Sequence, residues 1–231
     1  MDLNEIGRLA KAAQPSLQKA DSDAKNQVLH RAAELLVEQS DFLLKENEKD
    51  MEAGRQNGMP EGLLDRLLLT EERVKQMAEG LYQLEQLEDP IGEVLSMKKR
   101  PNGLLIGQKR VPLGVVGIIY EARPNVTVDA AALCLKSGNA VILRGGKEAF
   151  RSNKAFVAVM RDALEVAGLP RDCVALVEDT SRASAQELMG LTGYLDVLIP
   201  RGGAGLIRTV VENARVPVIE TGVGVCHVYV D

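Results

Sequence analysis

Residues 114–120 read GVVGIIY, a short apolar run rich in β-branched side chains. Four similar runs follow it, namely AVILR (140–144), CVALV (173–177), DVLI (196–199) and VPVIE (216–220). Helical patterns separate these runs, near residues 126–136, 150–167, 181–190 and 204–214. Continuous apolar strands that alternate with helices are typical of a parallel sheet covered on both faces. The sequence therefore predicts an α/β fold with a Rossmann-like parallel sheet and helices on both of its faces.

Upstream of these strands the sequence has a helical period. Apolar residues recur at helical spacing in three runs, from Ile6 to Leu17, from Val28 to Leu43 and from Leu63 to Leu87. Asp21 and Ser22 form a helix start signal ahead of the second run. The prediction is a helical region over residues 1–90.

A turn sequence, Pro101-Asn102-Gly103, separates two apolar runs that lack a helical period. Such a turn between two extended runs predicts a β-hairpin arm over residues 91–112. The α/β domain then covers residues 113–231. The last six residues, CHVYVD, are also expected to form a strand, which suggests that residues completing its sheet lie outside this chain.

The composition excludes several classes of protein. The 231 residues carry 28 Lys and Arg against 33 Asp and Glu, so the net charge is 28 − 33 = −5, and 45% of the chain is apolar. A disordered chain would be poorer in apolar residues, and proteins that bind nucleic acid usually concentrate basic residues. No apolar stretch is long enough for a membrane helix, and the first residues are too acidic for a secretory signal. The expected location is the cytoplasm, with no nucleic-acid or membrane partner.

The three cysteines, Cys134, Cys173 and Cys226, are far apart in the sequence and form no CxxC motif. This spacing suggests neither a disulfide framework nor a zinc site, and no metal is expected. Each cysteine lies in an apolar or mixed context, where a free cysteine is most often a small core residue.

The loop after the second predicted strand contains Arg144, Gly145, Gly146 and Lys147, just ahead of a helix. Glycines allow backbone amides to approach a ligand, a helix start favours an anion, and the two basic side chains add positive charge. A phosphate site is one interpretation of this loop. The alternative is a tight turn with solvated basic residues, because turns favour glycine in any case.

A second loop repeats the pattern with Arg201, Gly202, Gly203 and Gly205 after the fourth predicted strand. Neither loop is a Walker A or a GxGxxG sequence. The carboxyl ends of parallel strands share one edge of the sheet, where ligands bind. Two such loops at one edge therefore suit a dinucleotide with several phosphates.

Two further loops carry candidate residues at strand ends. After the first strand, Arg123 and Asn125 flank Pro124, and a cation with an amide suits a phosphate or carboxylate substrate or an oxyanion. Asn125 could equally be the N-cap of the next helix. At the end of the fifth strand, Glu220 could accept a proton, contact a ribose or an amide, or be a solvated carboxylate.

These segments together resemble the gamma-glutamyl phosphate reductase family of the aldehyde dehydrogenase superfamily. The specific strings are YEARPNVT (120–127) and IPRGGAG (199–205), within a match that spans essentially the whole chain. The resemblance implies NADPH-dependent reduction of L-glutamate 5-phosphate to L-glutamate 5-semialdehyde and phosphate, in proline biosynthesis. It also implies a homo-oligomer and functional coupling to glutamate 5-kinase.

By the same resemblance, the α/β domain binds NADPH. Arg144 is at the position of a cofactor lysine of the superfamily, Lys147 is where NAD-preferring members often carry an acid, and Gly205 matches a motif glycine. Arg201 replaces the serine of that motif, and Glu220 matches a glutamate of the superfamily. The spacing around Asn125 differs by one residue, so the group that contacts the oxyanion is left open.

The family's nucleophilic cysteine belongs to a later catalytic domain, in a run similar to QRPSVCN that this chain lacks. Cys226 matches a strand position of the family and is assigned no catalytic role. The expectation is a chain that carries the cofactor-binding half of a reductase, with the catalytic domain absent. The alternative is an inactive nucleotide-binding fragment that stands alone.

Overall fold

The computed structural model describes residues 2–121, 123–220, 222 and 227–229. Its N-terminal part consists of five helices, α1 (Leu3–Lys19), α2 (Ser22–Glu38), α3 (Ser40–Gln56), α4 (Glu61–Leu67) and α5 (Glu71–Gln86). The Asp21 carboxylate accepts a hydrogen bond from the Ala24 amide, which confirms the start signal of α2.

Two of the three predicted helical runs are each divided into two helices. The run from Val28 to Leu43 breaks at Gln39, between α2 and α3. The run from Leu63 to Leu87 breaks before Thr70, whose hydroxyl accepts a hydrogen bond from the Arg73 amide and caps α5. Apolar periodicity continues across both breaks, so the spacing of apolar residues alone does not show where these helices end.

The predicted hairpin is confirmed. Strands β1 (Val94–Lys99) and β2 (Leu105–Lys109) pair antiparallel. The Gly103 amide donates to the Arg100 carbonyl at 2.9 Å, and the φ of Gly103 is +87°, a left-handed value that favours glycine. Nearly all residues of both strands are exposed, so the arm extends away from the rest of the described chain.

The main sheet has four parallel strands in the order β5-β4-β3-β6. These strands are β3 (Val115–Tyr120), β4 (Ala140–Arg144), β5 (Val174–Leu176) and β6 (Val197–Arg201). The helices between and after them are α6 (Pro124–Lys136), α7 (Phe150–Val166), α8 (Arg182–Met189) and α9 (Ala204–Asn213). The predicted α/β class with a parallel sheet and surrounding helices is thus confirmed.

The predicted fifth strand is shorter than expected. Along residues 216–220, Val218 forms only an isolated parallel bridge with Leu198 of β6. The Leu198 amide donates to Pro217 O at 2.8 Å, and the Ile219 amide donates to Leu198 O at 3.0 Å. Of the predicted terminal strand at 226–231, residues 227–229 are described and form no strand, and the other three residues lie outside the described part of the chain.

Helices cover both faces of the sheet. Alternate strand residues pack on one side against α1, α8 and α9, and on the other side against α2, α5, α6 and α7. The N-terminal helices therefore share the core of the sheet. None of the helices in the described part of the chain combines the length and apolar character that a membrane span requires.

Candidate functional site

The carboxyl ends of the parallel strands bring the predicted loops to one edge of the sheet. In the strand register, Arg144 lies opposite Ile119 and Arg201 lies opposite Tyr120. Strands β4 and β5 lie on one side of β3, and β6 lies on its other side. The strand order therefore reverses between β3 and β6, which is where open α/β sheets form a ligand crevice.

Arg144 holds two of these loops together. Its Nη2 donates hydrogen bonds to Thr180 O at 2.7 Å and to Ser181 O at 2.8 Å. Its Nε is buried and has no partner within the described chain. Desolvation lowers the pKa of the guanidinium, but an arginine remains charged. Arg144 thus positions the loop after β5 and keeps one donor unused.

The packing around Gly145 leaves no room for a side chain. A Cβ at this position would lie 2.2 Å from Asn153 Nδ2 and 3.1 Å from the Tyr120 ring carbon Cζ. Thr127 Oγ1 donates to Asn153 Oδ1 at 2.8 Å and accepts from the Tyr120 hydroxyl at 2.7 Å. Burial raises the pKa of Tyr120, so its hydroxyl stays protonated. Sequence reasoning missed this buried chain of hydrogen bonds.

The start of α7 is occupied by a carboxylate. Asp50 of α3 accepts hydrogen bonds from the Ser152 amide and the Ser152 hydroxyl, each at 2.8 Å, and from the Arg151 amide at 3.2 Å. Desolvation raises the pKa of Asp50, and these donors oppose that shift. The Arg151 and Ser152 amides are therefore not available to a bound anion. Exposed Lys147 lies in a short 3₁₀ turn (Lys147–Ala149) that precedes α7.

Glu121 connects the end of β3 to the start of α9. Its Oε2 accepts a hydrogen bond from the Gly203 amide at 3.0 Å. A Cβ on Gly202 would lie 2.7 Å from the Glu121 carboxyl carbon, so this glycine allows the close approach. Arg201 and Gly205 are exposed at the same helix start, and no atom lies within 4 Å of a Cβ built on Gly205. Glu220 is exposed at the end of the 216–220 segment.

Arg123 and Asn125 line a cleft of about 480 Å³ between α4, α5 and the start of α6. Arg123 is at the N-cap position of α6, and Pro124 is in the first turn. Asn125 is therefore inside the helix, where its Nδ2 donates to Asp129 Oδ2 at 3.2 Å. The alternative that Asn125 is the N-cap was wrong. Sequence reasoning missed the α4 and α5 side of the cleft, which includes Arg66.

Two cysteines are unsuited to nucleophilic chemistry. Cys134 and Cys173 are buried, and burial raises the pKa of each thiol to about 12. A thiolate is the reactive form, so neither side chain is a nucleophile near neutral pH. Cys226 lies outside the described residues. Within those residues, no group of three or more His, Cys, Asp or Glu side chains is placed to bind a metal ion.

The parallel sheet, its crevice and the loops at its edge define an α/β domain of the type that binds ligands at the carboxyl ends of its strands. The model of the aldehyde dehydrogenase family matches residues 1–214, and the chain belongs to that family.

The resemblance to gamma-glutamyl phosphate reductases is confirmed by individual relatives. The enzyme of that name from Heliobacterium modesticaldum is 62% identical over 230 residues, which are 100% of this chain and 55% of the relative. The crystal structure of the Thermotoga maritima gamma-glutamyl phosphate reductase matches with a TM-score of 0.93 at 44% identity, over 95% of this chain and 53% of that one. The Saccharomyces cerevisiae protein of the same name gives a TM-score of 0.86 at 28% identity, over 95% and 56%. The chain thus spans about half the length of these relatives.

Proposed function

We propose that this chain is the cofactor-binding half of a cytoplasmic gamma-glutamyl phosphate reductase, with residues 113–231 as the cofactor-binding domain. The whole enzyme would reduce L-glutamate 5-phosphate to the 5-semialdehyde with NADPH, in proline biosynthesis. The observation that carries the proposal is the sheet edge, where Arg144 and Arg201 lie beside the crevice between β3 and β6. The relatives' names supply the substrate class.

The residues at this edge fit an anionic dinucleotide. Arg144 keeps a buried donor, Nε, that has no partner in the described chain, and exposed Lys147 follows three residues later. The start of α9 offers Arg201, Gly203 and an open Gly205. Lys147 and Arg144 would hold the 2′-phosphate, and the glycines of α9, with Gly146 and Gly202 shaping the loops, would approach the diphosphate. Glu220 would contact the ribose or the amide, and NADPH would supply the hydride.

Substrate would bind in the cleft that Arg123 and Asn125 line. The Arg123 guanidinium is suited to pair with a phosphate or a carboxylate. The Asn125 amide, which now donates to Asp129, could turn to donate to an oxyanion at the reacting carbon. These two residues bind and orient the substrate. The buried thiols of Cys134 and Cys173 take no part.

Cofactor selectivity tests the proposal. The 231-residue chain is expected to bind NADPH about 10- to 100-fold more tightly than NADH, because a cation about 4 Å from the 2′-phosphate contributes roughly 1 to 4 kcal/mol. Lys147→Glu should reduce the ratio of NADPH affinity to NADH affinity at least tenfold. Arg144→Ala should also weaken the binding of both cofactors, because Arg144 holds the Thr180–Ser181 loop in place. Calorimetric titration with both cofactors, at two salt concentrations, measures these effects.

Lys75→Glu is the matched control for this test, because it reverses the charge of another exposed lysine, on α5. It should leave both affinities unchanged. Equal affinity of the parent chain for NADPH and NADH would contradict the assignment of Lys147 and Arg144. Absence of any dinucleotide binding would contradict the cofactor-binding role itself.

Self-association is part of the same proposal. The hairpin exposes apolar side chains, among them Met97, Leu105 and Ile106, each with about half or more of its surface accessible. Exposed apolar surface and unpaired strand edges favour association between copies. Light scattering is expected to give a mass above that of one chain, and Ile106→Lys should lower it. A monodisperse monomer at high concentration would contradict the homo-oligomer.

Coupling to glutamate 5-kinase is proposed on the family resemblance alone.

A further inference from the structure

Besides Arg123, the cleft at the start of α6 has an arginine that belongs to α4. Arg66 of α4 and Arg123 both line it, and both are exposed. Within the described residues, neither guanidinium has a carboxylate oxygen within 4.0 Å. Two arginines without acidic partners in one small cleft indicate a ligand with two anionic groups.

The acidic residues of the cleft do not cancel this charge. Asp65 is already bound by Arg73, whose Nη2 donates to Asp65 Oδ1 at 2.9 Å. Asp129 accepts a hydrogen bond from Asn125, and desolvation raises the pKa of its carboxyl group. The lining has three arginines against two aspartates, so its formal charge is 3 − 2 = +1.

Arg66 is presented on a fixed backbone. Arg73 Nη1 donates to Asp65 O at 2.5 Å and to Leu68 O at 2.7 Å, so it ties α5 to the end of α4. Buried Asn47 donates a hydrogen bond at 2.9 Å to the carbonyl oxygen of Leu67, which is the residue after Arg66. Holding a binding residue in place before the ligand arrives reduces the entropy lost on binding.

We propose that Arg66 binds the α-carboxylate of the amino-acid substrate and thereby determines specificity. The inference rests on the proposed function, because it requires L-glutamate 5-phosphate in this cleft. The substrate has a phosphate at its reacting end and a carboxylate at the other. The proposed function places the oxyanion of the reacting carbon at Asn125, two residues after Arg123, so the phosphate end is assigned to Arg123 and the α-carboxylate to Arg66 of α4. A guanidinium can hold a carboxylate through two parallel hydrogen bonds, and a volume of about 480 Å³ suits a small molecule.

Calorimetry on the 231-residue chain with two stable probes tests this role. The first probe is the analogue of L-glutamate 5-phosphate in which a methylene group replaces the bridging oxygen of the acyl phosphate. The second is the same molecule without its α-carboxylate. The parent chain is expected to bind the first probe about 10- to 100-fold more tightly. Arg66→Met should remove this preference, and Arg66→Lys should restore only part of it, because lysine lacks the planar fork.

Arg55→Met is the control, because Arg55 pairs with Glu48 on α3 and does not line the cleft. It should leave the preference unchanged. If Arg66→Met weakens both probes equally, Arg66 does not recognise the α-carboxylate and the inference falls, while the proposed function stands. If the parent chain binds neither probe, both the cleft as substrate site and the inference are overturned. Should Arg66→Met fail to fold, Arg66→Lys decides, since a loss restricted to the first probe supports the proposal and an equal loss refutes it.

Discussion

Asp50→Ala is expected to lower the free energy of unfolding by about 2 to 4 kcal/mol. The Asp50 carboxylate accepts three hydrogen bonds at the start of α7, two from Ser152 and one from the Arg151 amide. Its removal leaves three donors without a partner in a buried site, and α7 packs directly on the sheet. Urea-induced unfolding followed by circular dichroism measures the loss.

Glu52→Ala is the control, because Glu52 is an exposed acid on the same helix. Its effect should stay within about 0.5 kcal/mol.

The pKa of Asp50 is higher in the folded chain than in the unfolded one. Its contribution is therefore complete below the unfolded pKa of roughly 3.9 and declines as the pH rises through the folded pKa. The difference in the free energy of unfolding between the parent and Asp50→Ala should become smaller as the pH rises. A difference that grows with pH would contradict the burial argument.

Gly145→Ala is expected to destabilise the chain by about 1 to 3 kcal/mol in the absence of any ligand. The added methyl group would lie 2.2 Å from Asn153 Nδ2 and would disrupt the hydrogen bonds between Tyr120, Thr127 and Asn153. Thermal unfolding without nucleotide measures the change. The physical cause is overpacking of a buried polar cluster.

Gly205→Ala is the matched control, because it adds the same methyl group to the other predicted glycine loop. No atom lies within 4 Å of that methyl position, and the residue is in the first turn of α9. The stability should be unchanged or slightly increased, since alanine favours a helix. If Gly145→Ala instead unfolds like the parent and only loses NADPH binding, Gly145 is a ligand-contact glycine and the packing explanation fails.

The candidate site was only partly predictable. The loops at Arg144 and Arg201 could be placed at one edge because parallel strands end on the same side. The role of Asp50 left a weak signal, a polar residue on the apolar face of α3 that includes Leu43 and Met51. Nothing local indicated that it would reach α7, a hundred residues later.

The sequence by itself determined the α/β class, the four buried strands, the hairpin and the family, because these depend on local periodicity, turn residues and specific strings. The two breaks at Gln39 and before Thr70 were not determined locally, since the apolar period runs through them. Only the tertiary structure decided what the predicted residues contact: Arg144 binds the Thr180–Ser181 loop, and Gly145 makes room for Asn153. These contacts join segments distant in sequence, and whether a helix start is open to an anion or closed by a carboxylate depends on how those segments pack.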